Sequence, residues 1–103
     1  MVAMSPELKA EVGQEKPKAV SGVRVESRGG MGIAVVNQTF RYMNASSAAI
    51  YRRLDGRHSI SEIVAEQRSV YPQVPEEELF EDTVRAIREF QRCGMVALRT
   101  VGD

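Results

Sequence analysis

The first regular pattern along the chain is a set of three short strand-like stretches, of which the first alternates apolar and polar residues and the second is a continuous apolar run. These stretches cover residues 23–26, 31–36 and 39–43, and a Gly-Gly turn and an Asn-Gln turn separate them. Alternation with a period of two is typical of strands that bury one face. Because the connections are as short as hairpin turns, the pattern predicts a three-stranded antiparallel meander.

The pattern changes after residue 43, where apolar residues begin to recur at helical spacing. Three such segments follow, at residues 44–54, 60–71 and 79–90. Each segment places its apolar side chains on one stripe, which is typical of amphipathic helices that pack on a core. The predicted fold class is therefore α+β and winged helix-turn-helix-like, with an N-terminal three-stranded antiparallel sheet followed by three helices.

Capping residues define where these helices begin and end. Gly56 and Gly94 follow the first and third segments, and glycine enters the left-handed conformation at a helix C-terminus without steric cost. Ser59 and Glu62 have the spacing of a capping box at the start of the second helix. Pro75 lies at the start of the third helix, where a first turn tolerates proline.

The N-terminal segment, residues 1–19, differs from the rest of the chain. It mixes Glu and Lys with two prolines and has few large apolar side chains. Such a segment buries too little apolar surface to offset the entropy lost on ordering, so we expect a disordered tail. Residues 20–103 then form a single domain.

Composition excludes several classes of protein. Lys plus Arg and Asp plus Glu both number 14 in 103 residues, so the formal net charge is zero and no overall attraction to nucleic acid follows. One cysteine, Cys93, excludes an internal disulfide and a cysteine-based zinc site, and His58 is the only histidine. No apolar run approaches the roughly 18 residues that span a bilayer, and no signal peptide is recognisable. We expect a soluble cytoplasmic protein, not an enzyme, without cofactor or metal.

The order of these residues resembles that of the PqqD-like family, the peptide-recognition modules of pathways that make ribosomally synthesised and modified peptides (RiPPs). The resemblance covers residues 20 to 98, and its motifs are mostly structural. Two positions depart from the family pattern, Met43 in place of leucine and Ala86 in place of an aromatic residue. The matching motifs are Met43-Asn44, the small residues 45–49, Ile50, Leu54, Asp55-Gly56, Ser59-Ile60-Ser61-Glu62-Ile63, Asp82-Thr83, Ala86-Ile87, Phe90 and Gly94-Met95.

The resemblance implies a non-catalytic peptide chaperone, or RiPP recognition element. Such a module binds the leader of a precursor peptide as an added strand and presents it to a modifying enzyme, which here could be a radical-SAM enzyme, a cyclodehydratase or another class. In this chain the third strand would supply the free edge, and the helix at residues 78–93 the second wall. The implied contact residues are Thr39, Phe40, Arg41, Tyr42 and Met43 on the strand, and Asp82, Thr83, Ala86, Ile87 and Phe90 on the helix.

Several of these positions have a second interpretation. Ile87 and Phe90 fit the core as well as a groove, because an apolar stripe usually faces inward. Alternation places Phe40 and Tyr42 on one strand face and Arg41 on the other, without showing which face meets the peptide. Asp82 has three interpretations: it shapes the groove, it caps a local backbone group, or it is a solvent-exposed surface residue.

The alternative function is a winged-helix DNA-binding regulator. It would need a basic face, whereas the third helix opens with an acidic run, residues 76–78, and the cluster Arg52, Arg53 and Arg57 is small. Nucleic acid and membrane are therefore not expected as partners. A free strand edge is compatible with a monomer and with an edge-paired or swapped dimer.

Overall fold

The computed structural model describes residues 5–20, 23–28, 31–36 and 39–97. Four helices and three strands make up this part of the chain. In chain order they are α1 (Pro6–Gly13), β1 (Arg24–Arg28), β2 (Met31–Val36), β3 (Thr39–Met43), α2 (Ala45–Arg52), α3 (Ile60–Val70) and α4 (Glu76–Arg92).

The strands form an antiparallel sheet in the order β1-β2-β3, with β2 in the centre. Ala34 in β2 pairs with Val25 in β1 and with Arg41 in β3. Helix α2 lies very close to the sheet, because a Cβ atom added to Gly32 would lie 2.8 Å from the Cβ atom of Ala48. The absence of a side chain at Gly32 therefore sets the distance between α2 and the sheet.

Helices α2 and α3 begin at side-chain caps. The Asn44 side chain accepts a hydrogen bond from the Ser47 backbone N–H at 2.8 Å. At α3 the Ser59 hydroxyl accepts from the Glu62 N–H at 3.1 Å, and the Glu62 carboxylate accepts from the Ser59 N–H at 2.9 Å, which confirms the predicted capping box. These bonds satisfy backbone donors that a helix N-terminus leaves unpaired.

Left-handed glycines follow α2 and α4. Gly56 has φ of 79° and Gly94 has φ of 77°, the conformation predicted for both. Between α2 and α3, the Asp55 carboxylate accepts the backbone N–H groups of Arg57 at 2.8 Å and His58 at 3.0 Å, and it contacts the His58 ring at 2.9 Å. The hydrogen bond from the Arg57 backbone, followed by that from the His58 side chain, holds the pKa of Asp55 well below its usual range.

The core lies where α4 packs against α2 and α3 and where α2 packs against the sheet. Tyr51 is buried there, and its hydroxyl donates a hydrogen bond to the Met95 carbonyl at 2.9 Å. Its ring packs edge-to-face against the Phe90 ring, with 5.1 Å between the ring centroids. The core residues are Val12, Ala34, Met43, Ala48, Ile50, Tyr51, Leu54, Ile60, Ile63, Val64, Leu79, Phe80, Val84, Ile87, Phe90, Met95 and Val96.

Residues 5–19 of the N-terminal segment are structured, where the sequence predicted a disordered tail. Lys9 of α1 lies 3.5 Å from the Glu76 carboxylate and 5.2 Å from the centroid of the Phe80 ring. After α1, the Glu15 carboxylate binds the guanidinium of Arg88 in α4 at 2.9 Å. The chain then forms isolated bridges from Lys18 to Asp55 and from Ala19 to Val96. Long-range contacts of this kind, absent from any local pattern, order a segment with few apolar residues.

The predicted fold class, a winged helix-turn-helix-like domain with a three-stranded sheet followed by three helices, is therefore wrong. The described chain has four helices, and α1 precedes the sheet. Beyond α4, residues 93–97 contribute an isolated bridge to Ala19 and no hairpin that could serve as a wing. Among the described helices, none is both long enough and apolar enough to cross a membrane.

Candidate functional site

Strand β3 is an edge of the sheet. One of its sides pairs with β2, and no described segment pairs with its other side. In an antiparallel ladder every second residue directs both its N–H and its C=O away from the neighbouring strand. The outer side of β3 therefore presents backbone donors and acceptors to any segment that approaches it.

A groove of about 200 Å³ begins at the C-terminal end of this edge. It lies between the start of α2 and the second half of α4, and we call it the β3 groove. Its lining residues are Met43, Asn44, Ser47, Ala86, Glu89, Phe90 and Cys93.

A larger cleft of about 600 Å³ adjoins the β3 groove. It is bounded by the start of α2, the C-terminal end of α3 with the loop that follows, and the facing side of α4; we call it the helical cleft. Its lining residues are Asn44, Ser46, Ser47, Ile50, Gln67, Tyr71, Val74, Glu78, Leu79, Asp82, Thr83, Arg85, Ala86 and Glu89. Because the groove and the cleft share Asn44, Ser47, Ala86 and Glu89, they form one continuous depression.

The rim of this depression is charged, and its walls are largely apolar. On α4, Asp82 forms an ion pair with Arg85 at 3.1 Å, and Glu89 forms one with Arg92 at 3.0 Å. Three carboxylates and one guanidinium line the helical cleft, so its charge is negative. Among the described residues, no group of three or more His, Cys, Asp or Glu side chains is placed to hold a metal ion.

The structure brings together most of the predicted site residues on α4. Asp82, Thr83 and Ala86 line the helical cleft, and Phe90 lines the β3 groove with Ala86. Ile87 is fully buried in the core and lines neither depression. The sequence pattern could not separate it from Phe90, because both belong to the same apolar stripe.

The predicted strand residues are described unequally. Met43 is buried and lines the β3 groove. The backbones of Thr39, Phe40, Arg41 and Tyr42 form β3, whereas their side chains lie outside the described part of the structure. The strand face that meets a peptide therefore stays a prediction.

Sequence reasoning missed the contribution of α3 to the site. Gln67, Tyr71 and Val74 line the helical cleft from the end of α3 and the loop after it. One signal was present in the sequence, since Gln67 is a polar residue at a position where the helical pattern calls for an apolar one. Asn44 and Ser47 were recognised as cap candidates, and their position at the mouth of the groove comes only from the tertiary packing.

Comparison with known proteins gives one match to this chain. No curated protein and no solved structure matches it. The model of the PqqD family, described as coenzyme PQQ synthesis protein D, matches residues 33–96, which include β3, α2, α3, α4, the β3 groove and the helical cleft. Because this match covers more than half of the chain, the protein belongs to the PqqD family, a family of RiPP recognition elements.

Proposed function

We propose that this protein binds the leader of a ribosomally made precursor peptide and presents it to a separate modifying enzyme, without catalysis of its own. The leader adds to the outer edge of β3 as a fourth strand. The observation that carries the proposal is the free edge of β3, which runs directly into the β3 groove and the helical cleft. Membership of the PqqD family supports it.

Backbone pairing alone would bind a peptide weakly. Four or five main-chain hydrogen bonds, at about 1 kcal/mol net each, contribute about 5 kcal/mol. Ordering a flexible peptide costs a comparable amount. A micromolar complex needs about −8 kcal/mol, so buried side chains must supply the remainder, at roughly 1.5 to 3 kcal/mol for each large apolar group.

The two depressions offer places for those side chains. The β3 groove adjoins Met43, the last residue of the strand, so a paired peptide passes directly over it. The helical cleft follows, with apolar walls that include Ile50, Leu79 and Ala86. Backbone pairing thus sets the binding mode, and the depressions select the peptide.

A DNA-binding function would use the basic cluster Arg52, Arg53 and Arg57, and the charge of this cluster is partly neutralised. Arg53 forms an ion pair with Glu66 at 2.8 Å, and Arg52 also has an interaction partner. Counterion release requires basic groups that are free to contact phosphate. This arrangement does not favour DNA binding over peptide binding.

Proline substitution tests the proposal. Proline removes a backbone N–H, and of two adjacent residues in an edge strand one directs its N–H outward. We therefore expect Arg41→Pro or Tyr42→Pro to weaken binding of a candidate leader peptide, chosen because it binds the unmodified protein, by at least about tenfold, since pairing hydrogen bonds at ~1 kcal/mol each are lost together with strand geometry. Isothermal calorimetry measures the affinity, and circular dichroism checks that the helices persist.

The matched control uses the other edge strand. Val25 and Glu26 in β1 pair with the same two β2 residues as Arg41 and Tyr42 do. Prolines at these β1 positions impose the same damage on the sheet without touching β3. Equal losses of affinity from both edges, or full affinity in folded Arg41→Pro and Tyr42→Pro variants, would contradict strand addition to β3.

The same free edge gives the protein a route to self-association when no peptide is bound. Pairing of two β3 edges would produce a symmetric dimer that the leader dissociates. Sedimentation equilibrium with and without peptide measures this, and a monomer at high protein concentration without peptide would exclude the dimer.

A further inference from the structure

The helical cleft continues from the β3 groove, which begins at the last residue of β3. Its volume of about 600 Å³ is about three times the 200 Å³ of the β3 groove, and the two are continuous through Asn44, Ser47, Ala86 and Glu89. A peptide on β3 that continues past Met43 therefore passes over the β3 groove and then places one of its next side chains at the cleft. Three features of the cleft indicate the chemistry of that side chain.

The first feature is a buried amide without a partner. Gln67 is only 6% exposed and lines the cleft, and its side chain forms no hydrogen bond with any described residue. Every fully enclosed side-chain nitrogen and oxygen in the described part of the chain has a hydrogen-bond partner, so the Gln67 amide opens onto the cleft. A purely apolar occupant would shield this amide from solvent and leave it unpaired, which is unfavourable.

The second feature is an uncompensated carboxylate. Asp82 pairs with Arg85, and Glu89 pairs with Arg92. Glu78 also lines the cleft, and no described residue forms an ion pair with it. The cleft therefore favours a positive charge and opposes a negative one.

The third feature is the apolar wall. Ile50, Leu79 and Ala86 line the cleft, and Ala86 also lines the β3 groove. A long side chain with a methylene stem packs along such a wall while its polar end reaches a hydrogen-bond acceptor.

We propose that the helical cleft binds a lysine or arginine side chain of the leader, at a fixed position just outside the strand-paired stretch on the Met43 side. The alkyl stem lies along the apolar wall, the cationic end lies at Glu78, and the carbonyl oxygen of the Gln67 amide accepts one of its hydrogen bonds. This subsite rests on the proposed strand addition and specifies which leaders the protein selects.

The probe is a random-peptide library, selected by mRNA display against the full chain. We expect the selected peptides to share an extended stretch followed or preceded by lysine or arginine at one fixed position. In a selected peptide, replacement of that residue by norleucine, which keeps the stem and removes the charge, should weaken binding about tenfold. Arg41→Pro and Tyr42→Pro show independently whether the selected peptides use β3.

Exchanging the charges of Glu78 and of the peptide residue then shows whether Glu78 recognises the peptide or only supports the structure. Glu78→Lys should weaken binding of the basic peptide about tenfold and improve binding of the same peptide with glutamate at the fixed position. Glu77→Lys is the matched control, because Glu77 is exposed in the same helical turn and does not line the cleft. Gln67→Leu should lower affinity for the basic peptide more than for its norleucine counterpart.

The outcomes distinguish the subsite from the proposed function. Peptides that depend on β3 but carry an apolar, neutral or acidic residue at the fixed position would overturn the subsite and leave strand addition intact. Equal effects of Glu78→Lys and Glu77→Lys would also overturn it. A selection whose peptides are insensitive to both β3 prolines, or that enriches no peptide, would overturn strand addition and the subsite together.

Discussion

The ion pair between Glu15 and Arg88 joins the N-terminal segment to α4, and the effect of its removal on the free energy of unfolding can be estimated. The Glu15 carboxylate accepts from both terminal nitrogens of Arg88, at 3.1 Å from Nη1 and 2.9 Å from Nη2. The Glu15 side chain is 13% exposed and that of Arg88 is 37% exposed. The pair is thus bidentate and intermediate between a buried and a surface ion pair.

The expected cost of Glu15→Ala follows from these values. Hydrogen bonds to charged groups contribute roughly 1.5 to 3 kcal/mol, whereas exposed ion pairs contribute about 0 to 1 kcal/mol. Arg88 retains one acceptor, the Gln91 side chain at 3.2 Å, so it is not left wholly unpaired. We therefore expect a loss of about 1.5 kcal/mol in the free energy of unfolding, or about 6 to 12 °C in Tm for a domain of this size.

Urea unfolding followed by far-UV circular dichroism measures this loss. Glu11→Ala is the control, because it removes the same charge from an exposed position on α1 and should change stability by less than about 0.5 kcal/mol. A double-mutant cycle with Arg88→Met isolates the pair itself. Equal effects of Glu15→Ala and Glu11→Ala, or no coupling in the cycle, would refute the role assigned to this ion pair.

Three further predictions concern the scaffold of the site. Gly32→Ala should lower stability by about 1 to 3 kcal/mol, because the new Cβ atom would lie 2.8 Å from that of Ala48; thermal unfolding measures this, and an unchanged Tm would contradict the packing. Ser59→Ala should cost about 1 kcal/mol in urea unfolding through loss of the capping box, and a loss below 0.3 kcal/mol, roughly the smallest resolvable change, would argue against the cap. The pKa of Asp55 is lowered in the folded state, so its stabilisation is complete above about pH 4 and is lost as pH falls further. Asp55→Asn should therefore reduce the loss of unfolding free energy that occurs as pH falls below about 4. If the variant loses as much stability at low pH as the unmodified protein, the Asp55 carboxylate does not cause that loss.

The helix boundaries could be predicted from the sequence because they depend on residues that are close together along the chain. The side chains that cap α3, Ser59 and Glu62, lie three residues apart, so the geometry of one turn decides their contact. Gly56 and Gly94 adopt positive φ, which a residue without a side chain accepts freely. None of these features depends on distant parts of the chain.

Helix α1 could not be predicted in the same way. It buries only Val12 and Gly13 of its eight residues, so its sequence has no strong apolar stripe. An isolated helix of this length is marginal in water, and its order comes from contacts with α3 and α4. Lys9 of α1 contacts Glu76, and Glu15, two residues after α1, contacts Arg88; both pairs are separated by more than sixty residues.

The sequence predicted several of the residues that α4 contributes to the site, and it did not predict those that α3 contributes. Ala86 and Phe90 follow from the apolar stripe of α4, although the same stripe includes Ile87, which is buried in the core. Gln67 and Tyr71 reach the cleft because α3 packs against α4. Side-chain periodicity assigns residues to a helix face, and only tertiary packing decides which face borders a cavity.

Amide hydrogen exchange by NMR tests the central claim, strand addition to β3, most directly. A bound leader should protect alternate backbone amides within Thr39–Met43, since only outward N–H groups gain a partner, and should leave β1, Arg24–Arg28, unchanged. The measurement uses the full chain, saturated with a leader peptide whose affinity is already known. Saturation with no new protection in β3, or protection in β1 instead, would contradict the account.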